Sequence, residues 1–348
     1  MPTLRGNRDR GMTAGCRRYD TLGDTVEIAE DRLLDRFKGA LVGCAAGDAL
    51  GAPVEGLPPE EIALEYGRVT TFLDGRFGAG RVTSNTQMAV ALAQSILEMG
   101  RCDREHVGRV FGRWMKASDD GVKEARGIGA ACATASRNLY EGTSPYESGV
   151  PSAGCGAATR TAPVGLRYYH QPDILVRAAT EQAWLTHTDP AAAGGAVAVA
   201  LAVSLGIRDE GVGDRSSFIE EIAGFVRNID PGLAGKIACL TDFLEASPED
   251  GFDFFGNSGY VMEAVPGALF AFLRSSNFEE SVVTAASAGG DSSSLGAIAG
   301  AVSGAWVGLS AIPDHLKDPL EGRDYIESVA FRLYTLTPAP GHKKRQGK

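Results

Sequence analysis

Hydrophobic residues recur at spacings of three and four along most of the chain, the period of one helix face. Leu33, Leu34, Phe37, Leu41 and Ala45 follow it and predict a helix over 30–50, which Gly51 and Pro53 end. Met88, Leu92, Ile96 and Met99 place a stripe on a helix over 87–99. The same period predicts helices over 172–186, 191–205, 218–229, 233–244, 259–273, 278–286 and 292–307. Alternation of Val, Ile and Thr over strand-length stretches is scarce, which argues against a sheet protein. The expected fold class is all-α. No internal repeat and no composition break marks a linker, so one compact domain is expected over 26–338. Residues 1–25 are expected to form a loosely attached arm. The basic N-terminus has no apolar stretch and does not read as a secretory signal. Residues 339–348 are expected to form a flexible tail.

Composition narrows the picture. The 348 residues are 44% hydrophobic and 22% charged, ordinary for a soluble globular protein. No apolar run is counted at the roughly 18 residues of a spanning helix, so no membrane partner is expected. A net charge of −10 argues against a general nucleic-acid surface but leaves room for a small phosphate pocket. The six cysteines show no C-x-x-C spacing. They read as buried thiols of a reducing, cytoplasmic compartment. Gly296, Gly300 and Gly304 form a smooth i, i+4 stripe that predicts close approach of a second helix.

Four segments place polar residues beside glycine at helix ends. The first, GCAAGDALGAPVEG (43–56), offers Asp48 near a helix C-terminus and Glu55 in the following turn. A carboxylate disfavoured by the helix dipole there calls for a backbone or arginine partner. The second, GRVTSNTQMAVAL (80–92), fits a capping box with Ser84 as N-cap and Gln87 three residues on. The third, SAGCGAATRTAPVGL (152–166), carries a small-residue loop and Arg160, which could bind a phosphate in bidentate fashion. It is followed by WLTHTDPAA (184–192), where Asp189-Pro190 is a helix start and His187 is either a satisfied core residue or a site residue. The fourth, SAGGDSSSLGAIAGAVSGAW (287–306), starts a helix at Asp291.

In this order and spacing the segments resemble the ADP-ribosylglycohydrolase family over roughly residues 33–315. The family's G-D-A-x-G-x-x-x-E corresponds to Gly47-Asp48-Ala49-Leu50-Gly51 with Glu55. Its T-D-D-T-Q-M corresponds to Thr83-Ser84-Asn85-Thr86-Gln87-Met88, and its G-N-G-A-A-M-R to Gly154-Cys155-Gly156-Ala157-Ala158-Thr159-Arg160. Thr186-His187-Thr188-Asp189-Pro190 follows a T-H-x-x-P-like segment, and Gly289-Gly290-Asp291-Ser292-Ser293-Ser294 stands at G-G-D-T-D-T.

The resemblance implies an orthogonal all-α fold and cleavage of a glycosidic bond to the anomeric carbon of ADP-ribose. Family members usually hold two Mg²⁺ or Mn²⁺ ions between the second and last motifs. Here those positions carry Thr83, Ser84, Asn85, Asp291, Ser293 and Ser294, so one carboxylate remains. Mg²⁺ is held by carboxylates and retained waters, and neutral oxygens do not balance two such ions. The expected cofactor is therefore none, with one weak Mg²⁺ near Asp291 as the alternative. Oxocarbenium chemistry needs a carboxylate to stabilise charge or activate water. Asp291 is the first candidate and Glu55 the second. Thr83, Ser84, Asn85, Gly154, Cys155, Gly156, Arg160, His187, Ser292 and Ser293 are the candidate substrate contacts. The expected partner is a small ADP-ribosyl or ribosyl compound, or an ADP-ribosylated protein. The competing expectation is a catalytically inactive relative that binds ADP-ribose or serves as a scaffold or immunity-type protein.

Overall fold

A computed structural model describes residues 22–208 and 214–337. The chain opens with α1 (Leu22–Gly51), α2 (Pro59–Tyr66), α3 (Ser84–Met99), α4 (Arg104–Asp119) and α5 (Ala130–Tyr140). Two short turns, α6 (Gly156–Thr159) and α7 (Ala162–Arg167), lead into α8 (Pro172–Trp184) and α9 (Pro190–Arg208). Then come α10 (Arg215–Val226), α11 (Pro231–Ala238), α12 (Pro248–Phe255), α13 (Val261–Arg274) and α14 (Phe278–Ala286). The last are α15 (Ser292–Val307), α16 (Asp314–Lys317) and α17 (Arg323–Leu336). Among the described residues the only β pairings are two isolated bridges, Val150 with His187 and Gly154 with Tyr260.

Two long helices form the spine. On α1, Gly39, Gly43 and Gly47 face Gly304, Gly300 and Gly296 of α15, and a Cβ at any of the six would overlap the opposing carbonyl oxygen. The expected close approach is therefore real, and its partner stripe is the glycine series of α1. The second core helix, α9, is buried from Ala191 to Ile207. Its apolar stretch meets the length and hydropathy of a membrane span, contrary to the expectation that no run is long enough. The domain itself covers it: 94% of that stretch lies inside the protein.

Several boundaries differ from expectation. Helix α1 already includes Leu22, so residues 22–25 of the expected arm are helical. Residues 1–21 and the expected tail over 339–348 lie outside the described residues. The helix expected over 233–244 leaves α geometry at Ala238 and tightens to a 3₁₀ turn over Cys239–Phe243. Helix α4 interrupts a stretch with no expected element. Asp103 caps it by accepting the His106 amide at 3.1 Å, and Val107, Val110, Phe111 and Met115 bury one face.

Candidate active site

The N-termini of α3 and α15 meet at the C-terminal end of α1, and Asp48 makes the first tie. This fully buried carboxylate accepts the Thr83 and Thr86 amides at 2.8 and 3.2 Å. It also accepts both threonine hydroxyls at 2.6 Å. Burial pushes its pKa up, and these four bonds oppose the shift by favouring the charged form. The expected need for a backbone partner is met, from a helix start 35 residues away. The capping box takes a different form. Thr83, not Ser84, is the N-cap, accepting the Asn85 amide at 3.2 Å. The Ser84 amide donates to the Arg126 carbonyl at 2.6 Å, and Gln87 reaches Glu124 instead of the cap.

Asn85 makes the second tie. Its Nδ2 donates to Ser293 Oγ at 3.2 Å and lies 3.4 Å from both Ser294 Oγ and Asp48 Oδ1. The carboxylate oxygen can only accept, so it fixes the amide with nitrogen inward. A neutral amide thus joins the two helix starts. Asp291 follows Gly289 and Gly290, both at positive φ, which only glycine adopts without strain. One Asp291 oxygen caps α15 at the Ser294 amide, 3.3 Å away, and the other accepts the Cys155 thiol at 3.3 Å. Burial, then the Asp291 charge, holds Cys155 well above the ordinary thiol range, so it is the donor. Gly259 is needed beside this pair, because a Cβ there would come within 2.7 Å of Asp291 Oδ2.

Glu55 reaches the same cleft from the turn after α1. It is exposed on the cleft side, yet the walls crowd its carboxyl. Burial raises its pKa to about 7, with Asp291 and Asp48 adding repulsion and a Ser293 hydrogen bond opposing it. Water filling the cleft weakens this shift, and a substrate displacing that water strengthens it.

Arg160 does not meet the cleft. It is fully buried, its guanidinium 4.8 Å over the Phe111 ring. Nε donates to Gln182 Oε1, and Nη2 to the Gln182 carbonyl, both at 2.8 Å. Nη2 also donates to Thr186 Oγ1 at 2.7 Å. That last bond orients a relay. The Thr186 hydroxyl proton can go to the Ala183 carbonyl at 3.4 Å, to the Cys132 sulfur, a weak acceptor, or to His187 Nδ1 at 2.8 Å. The Ala183 carbonyl already accepts the amides of Thr186 and His187. The proton therefore goes to Nδ1, and the ring proton of His187 sits on Nε2, which faces Gly154. Burial, then the Arg160 charge, lowers His187 to about 3, so it is a neutral donor.

The cleft encloses about 280 Å³. Of the expected residues it brings together Glu55, Ser84, Asn85, Gly154, Cys155, Gly156, His187, Asp291 and Ser293. Three do not line it. Thr83 gives its hydroxyl to Asp48, Arg160 gives its donors to Gln182 and Thr186, and Ser292 donates to the Gly51 carbonyl at 2.9 Å. Sequence reasoning missed the Gly127–Cys132 segment, Ser152 and Gly259 as walls. The first carries a G-x-G before a helix, a weak signal that nothing tied to the other motifs. The donor set does not fit two hard divalent ions. Asn85 turns nitrogen inward, one oxygen of Asp291 is a helix cap, Thr83, Ser84, Ser293 and Ser294 offer only hydroxyls, and Glu55 is the one further carboxylate of the cleft. Among the described residues no group of three His, Cys, Asp or Glu side chains has metal-holding geometry.

An all-helical domain with two carboxylates in a small glycine-lined cleft fits the class of a glycosidic-bond hydrolase. Comparison with known proteins gives the family. The ADP-ribosylglycohydrolase family model matches residues 29–343. The chain is 30% identical to the ADP-ribosyl-[dinitrogen reductase] glycohydrolase of Rhodospirillum rubrum, covering 80% of this chain and 88% of that one. It is 26% identical to ADP-ribosylhydrolase ARH3 of Mus musculus, covering 88% and 92%. A solved structure titled as an ADP-ribosylglycohydrolase-related protein complex superposes with a TM-score of 0.73 at 30% identity, over 88% of this chain and 100% of the other. The chain belongs to the ADP-ribosylglycohydrolase family, a family of hydrolases.

Proposed function

We propose that this protein hydrolyses an ADP-ribosyl or N-ribosyl linkage without the dinuclear metal centre that its family resemblance implies. One observation carries the metal-free half: the Asn85 amide, donating to Ser293, occupies the junction of the two helix starts. Family membership supports the linkage. The cleft volume, at the lower end for ligand pockets, suits a ribosyl unit and its leaving group.

In this reading Glu55 is the general base. It faces open cleft, and its carboxyl titrates near neutrality, where proton transfer is most efficient. Asp291 ranks second for that role because both its oxygens are committed to Ser294 and Cys155. Its held charge instead stabilises the oxocarbenium-like transition state. His187 donates Nε2–H from the Gly154 side to a substrate oxygen. Ser84 and Ser293 supply hydroxyls to the sugar. A leaving group that departs with little proton assistance, such as a pyridinium, fits best; an ADP-ribosylated protein remains a second partner class. Five free thiols among the described residues accord with a reducing cytoplasm.

The second reading, a binder without turnover, draws on the engagement of both Asp291 oxygens. The two separate in one assay. Wild type, Asp291→Ala and Glu55→Gln are incubated with NAD, ADP-ribosyl-arginine and ribosylated nucleosides, and released base or ADP-ribose is quantified. Hydrolysis by wild type, reduced at least ~100-fold by either change, supports the enzyme. ADP-ribose binding without turnover of any substrate selects the binder.

A further inference from the structure

A second cavity, of about 550 Å³, opens on a different face of α3 from the candidate active site. Its α3 wall is Val90, Ala91 and Gln94, and Trp114 and Tyr325 close it from α4 and α17. The apolar part of this wall suits a flat, uncharged body.

The polar groups are unusual. Arg126 spends one nitrogen on Glu321 at 2.5 Å, while its Nε is buried with no partner. Gln87 Oε1 is likewise buried without a partner. Both atoms are shut off from the cavity solvent, so they belong to the wall and the ligand contacts must come from the rim. At the rim, Arg113 and Lys123 are exposed and ion-pair with no carboxylate among the described residues. In a chain of net charge −10, two unpaired cations over one cavity form a local anion site. The lining carries three cations, Arg113, Lys123 and Arg126, against two carboxylates, Glu321 and Glu98. Glu321 is held by Arg81 and Arg126, away from the two free cations.

We propose that this cavity binds a small organic anion with a flat aromatic body. The acidic group meets Arg113 and Lys123, and the ring packs on Trp114 and Val90. The site adjoins the candidate active site through the backbone: the Arg126 carbonyl accepts the Ser84 amide, and Gly127, the next residue, lines that cleft. The proposal does not depend on the hydrolase reading.

The test uses 1-anilinonaphthalene-8-sulfonate, an aromatic anion that fluoresces when bound, titrated into the full chain. The expected result is one saturable site. The pair Arg113→Glu/Lys123→Glu should raise Kd about tenfold, as expected for loss and reversal of two exposed charges. The pair Arg215→Glu/Arg227→Glu, at the two ends of α10 and away from every lining element, makes the same change in net charge and should alter Kd less than about twofold. Unsaturable binding, an unchanged Kd in the Arg113/Lys123 pair, or equal weakening by both pairs would overturn the proposal.

Discussion

Replacing Glu55 by Gln removes the carboxyl that the cleft crowds most. In the folded chain burial, aided by Asp291 and Asp48, holds this group at about 7 against an ordinary 4.5. Undiluted, that gap corresponds to ~3.4 kcal/mol. Glu55 is exposed on its cleft side, so solvent screening reduces the figure to about 1 kcal/mol. The folded chain binds this proton more tightly than the unfolded chain. The contribution is therefore fully present below the unfolded value and is lost as pH rises through about 7. Gln is neutral throughout and escapes the loss. Glu55→Gln should be about 1 kcal/mol more stable than wild type at pH 8, a rise of ~1–2 °C in Tm for a chain this long. At pH 4 the two should coincide. Its turnover should fall by ~10²–10⁴, while wild-type kcat/KM climbs as Glu55 ionises, through an inflection above the ordinary 4.5 and no higher than about 7. Calorimetry at both pH values and a pH–rate profile provide the measurements. An equal gain at both pH values, or a loss at pH 8, would refute the electrostatic account of Glu55.

Thr186→Val should release the His187 tautomer, read as a shift of ring ¹⁵N resonances towards a mixture, whereas Thr186→Ser should keep Nε2–H; a wild-type Nδ1–H signal would sink the relay. Gly47→Ala drives a methyl into the Gly296 carbonyl, and urea unfolding should register a loss of ~3 kcal/mol or more, since neither backbone can yield cheaply. Asn85→Asp combined with Ser293→Asp returns carboxylates to the junction beside Asp48. That variant should be destabilised in chelator and recover several degrees of Tm in millimolar Mg²⁺, while wild type should not respond.

The helices most legible in the sequence are those whose apolar period runs uninterrupted, such as α14 and α15, whose ends match expectation. Helix α4 carries an equally regular stripe, Val107, Val110, Phe111, Trp114 and Met115 behind the Asp103 cap, so its signal was present in the sequence although no element was expected there. The site was legible as a set of motifs but not as roles. Ser84 matched a local capping pattern, yet the carboxylate that organises this turn is Asp48, far away in sequence. Arg160 read as an anion ligand because its chemistry allows it; only packing shows that Gln182, Thr186 and Phe111 consume it. The glycine stripe of α15 announced a close helix neighbour without identifying α1, although Gly39, Gly43 and Gly47 repeat at the same interval. The cavity behind α3 left no local trace at all, since its cations and aromatics come from two separate helices and a loop.

The central claim is that Asn85 and its serine partners do the joining that the family resemblance assigns to cations. Turnover of the best substrate from the panel, measured after exhaustive chelation and again with added Mg²⁺ or Mn²⁺, tests it most directly. The account predicts equal rates in chelator and in metal. Loss of activity on chelation, restored by a divalent ion, would contradict it.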